Sequence, residues 1–117
     1  DLESYRVKAE IVSSAEVFRD VYAIAVSKNH NIESPTIIGA QAANDLLNIN
    51  GIRASFVLTE YGGKIYVSAR AIDEVNVQII MEKMGGGGHL NNAGAQVDLS
   101  VEGAIKKIME ITEESNV

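Results

Sequence analysis

The chain has 117 residues, of which 46% are hydrophobic and 22% are charged, a composition typical of one globular domain rather than a disordered segment. Its formal net charge of −6 argues against a broad nucleic-acid groove, and the absence of cysteine excludes disulfides and thiolate metal sites. No apolar run approaches the roughly 20 residues that cross a bilayer. The chain begins with Asp1 rather than Met, so we expect it to be part of a longer protein.

The first part of the chain predicts a helix, a strand and a second helix. Residues 2–18 carry apolar side chains at helical spacing, and the continuous apolar run at 21–26 is typical of a buried strand. A polar loop follows at 27–34, in which we expect His30 to be exposed and without a function. The pair Ser34-Pro35 then marks the start of a helix, with a hydroxyl cap and proline at the first helical position.

The middle of the chain contains the clearest β-hairpin. Residues 52–60 and 64–72 alternate in polarity on either side of Gly62-Gly63. With this two-residue turn, Ser55 lies opposite Arg70. One face of the hairpin is apolar and is predicted to face the core. The opposite face carries Arg53, Ser55, Ser68 and Arg70.

The last part of the chain predicts two helices and one strand. Asp73 can cap a helix that runs through Met84, residues 93–99 read as a strand, and Ser100 can cap a closing helix. Strands that alternate with helices, together with one hairpin, predict an α/β fold. We expect a mixed β-sheet of about five strands flanked by helices.

Four consecutive glycines at 85–88 lead into His89. One glycine is enough to end a helix, so four indicate a backbone path that no Cβ can follow, near a ligand or another backbone. The N–H groups of such a path can point at an anion. No Lys-Ser/Thr pair follows, which excludes a P-loop, and the run follows a helix rather than the strand that a dinucleotide fingerprint requires. The residues alone leave a ligand loop and a structural loop equally open.

Three further residues have both a functional and a structural interpretation. Arg70, at the end of a hairpin strand, is either solvated or a fork that donates two hydrogen bonds to a phosphate. His89 is either a surface residue or a donor to a phosphate oxygen. For Asn76, capping or surface exposure is favoured over a ligand contact. No catalytic arrangement and no metal site is predicted in the chain, because no nucleophile–base pair, acid pair or ligand cluster stands out.

The segment SARAIDEVNVQIIMEKMGGGGHLNNAGAQ at 68–96, with AQAANDLL at 40–47, resembles the DHH-associated domain of the DHH phosphoesterase superfamily. It is most similar to the GdpP/YybT-type cyclic-di-AMP phosphodiesterases. The resemblance implies that residues 1–20 are a linker helix from an upstream DHH subdomain and that residues 21–117 are the DHH-associated substrate-binding domain. One departure is Ala71, where the family often has serine; the hairpin register turns Ala71 towards the core.

The resemblance also implies a function and a site. The chain is expected to be the substrate-binding subdomain of a manganese-dependent phosphodiesterase that hydrolyses cyclic di-AMP to linear pApA. The two Mn²⁺ ions are expected in the DHH subdomain, with no cofactor and no metal in this chain, which alone is expected to be inactive. The substrate-binding residues that the resemblance implies are Arg70, Asn76, Gly86, Gly87, Gly88 and His89.

The expected partners are a cyclic dinucleotide or short adenine dinucleotide, the upstream DHH subdomain of the same chain, and a second copy in a homodimer. The resemblance implies a cytoplasmic domain without membrane contact, in a parent protein anchored to the membrane. Two alternatives stay open: a phosphoesterase subdomain for short oligoribonucleotides or phosphonucleotides, and a non-catalytic RNA-binding module. The negative charge counts against the second. A plain interaction domain with structural glycines is a third interpretation.

Overall fold

The computed structural model of the protein describes residues 1–28 and 31–114, so the prediction for His30 lies outside the described residues. The helices and strands follow in chain order. They are α1 (Leu2–Ser13), β1 (Glu16–Phe18), β2 (Tyr22–Ser27), α2 (Pro35–Leu46), β3 (Ala54–Tyr61), β4 (Lys64–Ala71), α3 (Val77–Lys83), β5 (Gly87–His89), β6 (Asn92–Val97) and α4 (Val101–Glu114).

The strands of the described ranges form one mixed sheet in the order β1-β2-β3-β4-β6-β5. Strands β2 and β3 are parallel and are connected through α2, whereas the other neighbouring strands are antiparallel. This arrangement confirms the predicted α/β class, with six strands instead of about five. The parallel pair needs a crossover, and α2 supplies it.

Helices cover both faces of the sheet, each over its own hydrophobic core. On one face, Val7 of α1 and Leu46 of α2 pack with Val57 of β3. On the other face, Ile80 of α3 and Ile108 of α4 belong to a cluster with the alternate residues of β3 and β4. Buried side chains alternate with the pleat, so neighbouring residues of one strand serve opposite cores.

The β3–β4 hairpin has the predicted register and turn. Ser55 pairs with Arg70. Gly62 and Gly63 both have positive φ, 60° and 78°, as a type I′ turn requires. Ala71 is buried in the core, as its place in the register predicts.

The predicted helix over 2–18 is wrong beyond Ser13. Residues Glu16–Phe18 instead form β1, which pairs antiparallel with β2. The Phe18 ring packs 5.2 Å from that of Tyr22, centroid to centroid, so the strand adds an aromatic contact to the core and covers part of the edge of β2. The division of the chain at residue 20 stays a prediction, although both α1 and β1 pack against the rest of the domain.

The predicted cap of the third helix is also wrong. Asn76, not Asp73, is the N-cap of α3, and its side-chain oxygen accepts a hydrogen bond from the backbone N–H of Ile79 at 3.2 Å. Asp73 has a φ of 55° and belongs to the preceding turn. Both residue types are favoured at N-caps, and the turn conformation decides between them.

Candidate functional site

Helix α2 covers only part of its face of the sheet. Ser55 of β3 is fully buried, and its hydroxyl donates a hydrogen bond to the carbonyl of Ala43 at 2.6 Å. The strands beyond β3 are more exposed on the same side. We call this side of β4, β6 and β5 the open face. It consists of Tyr66, Ser68 and Arg70 of β4, Asn92, Gly94 and Gln96 of β6, and Gly87 and His89 of β5, all half-buried or exposed.

Arg70, Asn92 and His89 form one row across the open face. Arg70 pairs with Asn92, which in turn pairs with His89 on the edge strand. Side chains of directly paired residues point to the same face of a sheet, so these three lie side by side. The sequence predicts Arg70 and His89 as site residues but does not single out Asn92. Only the pairing of β6 with both β4 and β5 places Asn92 between them.

The guanidinium of Arg70 is half-buried and has no carboxylate partner within the described residues. Its Nη1 donates hydrogen bonds to the carbonyls of Ala69 at 2.9 Å and Ala93 at 3.3 Å, and its buried Nε has no partner in these residues. Burial lowers the pKa of Arg70, although arginine still stays charged in proteins. By contrast, Arg53 and Arg19 pair with Glu74 and Glu113. An unpaired, partly desolvated cation is stabilised by an incoming anion.

The first glycine of the run ends α3. Gly85 has a φ of 88°. Its N–H donates to the carbonyl of Glu82, and the N–H of Gly86 donates to the carbonyl of Met81. These two bonds make a Schellman motif, in which a left-handed residue follows the helix.

The next three glycines lie against β6, and two of them are required by close backbone packing. A Cβ on Gly86 would collide with the carbonyl oxygen of Gly94. A Cβ on Gly88, whose φ is 145°, would lie 2.5 Å from Cα of Ala93. The predicted loop is therefore wrong for residues 87–89, which are an edge strand held close to β6.

Gly87 differs from its neighbours because the fold does not require it. Its φ is outside the left-handed range, and a Cβ there would meet nothing within 4 Å. Gly87 pairs with Gly94, which is followed across the sheet by Ser68. We call this row of Ser68, Gly94 and Gly87 the glycine floor. It has almost no side chains and lies next to the guanidinium of Arg70. Among the described residues, β5 is the last strand of the sheet, and its backbone has no strand partner on the outer edge.

The remaining predicted site residues have different positions. His89 is exposed at the end of β5, beside Asn92. Asn76 is not on the open face. Its side-chain oxygen caps α3, and the N–H of the next residue, Val77, donates to the carbonyl of Leu90 in the β5–β6 turn. The structure thus brings together Arg70, Gly87 and His89, whereas Asn76 has a structural role.

A metal site does not fit the part of the chain that is described. No three His, Cys, Asp or Glu side chains come together there. The manganese ions that the resemblance implies therefore have no ligand set in residues 1–28 and 31–114. Among these residues, no helix is both long and apolar enough to cross a membrane.

Comparison with known proteins identifies the family of the chain. The chain matches the DHHA1 domain over residues 15–115. It is 40% identical over 111 residues to the cyclic-di-AMP phosphodiesterase PdeA of Listeria monocytogenes serotype 1/2a, a match that covers 93% of this chain and 17% of PdeA. It is 39% identical over 109 residues to the cyclic-di-AMP phosphodiesterase GdpP of Geobacillus thermodenitrificans, covering 92% of this chain and 16% of that protein.

A solved structure has the same fold. An exopolyphosphatase-related protein from Bacteroides fragilis superposes with a TM-score of 0.85 at 21% identity, over 97% of this chain and 35% of its own. This likeness concerns the fold alone. Most of the length of each of these proteins lies outside the compared region.

Proposed function

Because the chain belongs to the DHHA1 domain family, we propose that it is the substrate-binding subdomain of a manganese-dependent phosphodiesterase that hydrolyses cyclic di-AMP to linear pApA. The observation that carries the proposal is the guanidinium of Arg70, which is half-buried beside the glycine floor and has no carboxylate partner in the described part of the chain. This combination suits a phosphate diester, which is anionic and needs close approach to the backbone.

Arg70 is the main phosphate contact in this proposal. Two carbonyls hold Nη1 and Nε is buried, which leaves Nη2 to donate a charge-assisted hydrogen bond to the phosphate. The planar fork is fixed before the substrate arrives, so less side-chain entropy is lost on binding. His89, in the same row, donates to a second phosphate oxygen.

The chain positions the substrate, and the bond is broken elsewhere. Its role is to hold the phosphodiester in one orientation, a contribution that raises the rate by reducing the freedom of the reacting groups. In this proposal, manganese ions in an upstream DHH subdomain supply the activated water. The membrane anchor, the cytoplasmic location and the homodimer that the resemblance implies are parts of the same proposal.

The same contacts suit short linear adenine dinucleotides, which are the alternative substrate. Competition between cyclic di-AMP and pApA for the whole protein separates the two. An RNA-binding module is disfavoured by the net charge of −6.

The test is hydrolysis of cyclic di-AMP by the whole protein, including its upstream subdomain, with Mn²⁺. We expect Arg70→Ala and His89→Ala each to lower kcat/KM, by about 100-fold for Arg70→Ala, a typical loss for one charged contact to a reacting group. Arg53→Ala is the matched control, because Arg53 is an arginine of the same hairpin that pairs with Glu74. Wild-type kinetics in both site variants would exclude the proposed site.

A further inference from the structure

The open face continues beyond the Arg70 row. The next row contains Ser68, Gly94 and Gly87, and the row after it pairs Tyr66 with Gln96. The open face thus has a cation, Arg70, at one end and the ring of Tyr66 with the amide of Gln96 at the other. The glycine floor lies between them. The motif AGAQ ends in Gln96, a residue that phosphate binding does not explain.

The separation of the two ends suits one nucleoside. Tyr66 and Arg70 are four residues apart on one strand, which places their Cα atoms about 13 Å apart. The Nη1 of Arg70 donates hydrogen bonds to the carbonyls of Ala69 and Ala93. Both carbonyls lie between the row of Arg70 and the glycine floor. The guanidinium therefore leans over the glycine floor towards Tyr66.

Tyr66 offers an aromatic surface for that base. It is half-buried, and its ring centroid lies 6.4 Å from that of Tyr61, which is 46% exposed. The contact with Tyr61 limits the orientations of the Tyr66 ring. Stacking of a base on an aromatic side chain is favourable for every base, so Tyr66 adds affinity without selecting among bases.

Gln96 can select the base. It is exposed and lies directly opposite Tyr66 on β6. Its amide has one donor group and one acceptor atom. Adenine presents an N6 amino donor beside the N7 acceptor, which complements the glutamine amide at both positions, whereas guanine presents the acceptors O6 and N7.

We propose that Tyr66 and Gln96 form a base subsite that prefers adenine to guanine, with Gln96 as the selecting residue. The proposal rests on the proposed function for its phosphate end, which Arg70 occupies. In this proposal the sugar lies over the glycine floor, since Gly87 and Gly94 have no side chains there.

The experiment is a calorimetric titration of the 117-residue chain with linear pApA and with pGpG. We expect the wild-type chain to bind pApA more tightly. Gln96→Ala should raise the Kd for pApA about tenfold and leave the Kd for pGpG unchanged, because only adenine loses a two-point contact. Gln96→Glu, which keeps the shape but replaces the donor with a negative charge, should weaken pApA at least as much and should also weaken pGpG by repulsion. Gln41→Ala, at an exposed glutamine beside Asp1 and Tyr5, is the matched control and should change neither Kd.

The outcomes separate the two proposals. Arg70→Ala should weaken both ligands by the same factor. If Gln96→Ala keeps the wild-type ratio of the two Kd values, the base subsite is wrong while the phosphate site stands. If Arg70→Ala leaves both Kd values unchanged, the proposed function itself is contradicted.

Discussion

Ser55 and Arg70 lie directly opposite each other on β3 and β4, but only Ser55 is fully buried beneath a helix. The Ser55 hydroxyl donates to a carbonyl in the last turn of α2, whereas the Arg70 guanidinium has no acidic partner among the described residues. The edge of α2 therefore divides this face of the sheet into a packed half and an open half. The candidate site begins where the cover of the helix ends.

Replacement of Arg70 by alanine should weaken ligand binding without a large loss in the free energy of unfolding. We expect the Kd of the chain for cyclic di-AMP to rise at least about tenfold, because a hydrogen bond to a charged group contributes roughly 1.5–3 kcal/mol. The free energy of unfolding, measured with urea, should change little, because the loss of the Nη1 hydrogen bonds is offset by removal of a buried donor that has no partner among the described residues. Arg53→Ala is the control for charge. A lower free energy of unfolding with an unchanged Kd would assign Arg70 a structural role.

Alanine substitutions at the neighbouring residues Gly87 and Gly88 should have different effects on stability and binding. Gly87→Ala should fold normally, because its Cβ meets no atom within 4 Å, but should weaken cyclic di-AMP binding by narrowing the floor. Gly88→Ala should lower the free energy of unfolding by about 2 kcal/mol or more, since φ is 145° and the Cβ would collide with β6. Urea denaturation and calorimetry measure the two effects. Equal loss of stability in both variants would contradict the distinction.

Substitutions of Asn76 test whether its side chain acts as a helix cap or contacts the ligand. Asn76→Ala should lower the free energy of unfolding by about 1 kcal/mol, because the N–H of Ile79 loses its acceptor. Asn76→Asp keeps an acceptor oxygen and should preserve stability. Because Asn76 is outside the open face, we expect Asn76→Asp to bind cyclic di-AMP like the wild type. A large loss of affinity in this folded variant would support the substrate role that the resemblance implies.

Two buried serines should have opposite responses to alanine. The Ser55 hydroxyl bonds to the carbonyl of Ala43, so Ser55→Ala should lower the free energy of unfolding by about 1 kcal/mol. The Ser27 hydroxyl is equally buried but has no partner in residues 1–28 and 31–114, so Ser27→Ala should be neutral or stabilising. Thermal unfolding of the two variants makes the comparison. A greater loss for Ser27→Ala would show that its hydroxyl has an acceptor in solution.

Much of the fold follows from local sequence signals. The turn Gly62-Gly63 and the alternating strands determine the register of Ser55 and Arg70, because the turn type limits the pairing. Strand β1 could not be predicted in this way. Residues Glu16–Phe18 continue the helical spacing of α1, and three residues become a strand only because the edge of β2 is available.

The site was predicted less completely than the fold. Residue type and the resemblance identify Arg70 and the glycine run, but they predict a loop for the run. Its pairing with β6 depends on contacts between chain segments that local patterns do not show. For the same reason, the position of Asn92 between Arg70 and His89 became visible only with the complete strand order.

The most direct test of the phosphate site is the NMR resonance of the Arg70 Nε–H group in the chain, observed while cyclic di-AMP is added. This N–H is buried without a partner among the described residues and belongs to the same planar guanidinium as Nη2, so a phosphate bound at Nη2 changes the environment of its proton. We predict a shift of this proton resonance, together with shifts of the Gly87 and Gly94 amides, all with one Kd. Cyclic di-AMP that binds the chain while these three resonances stay unchanged would contradict the assignment of the open face as the substrate site.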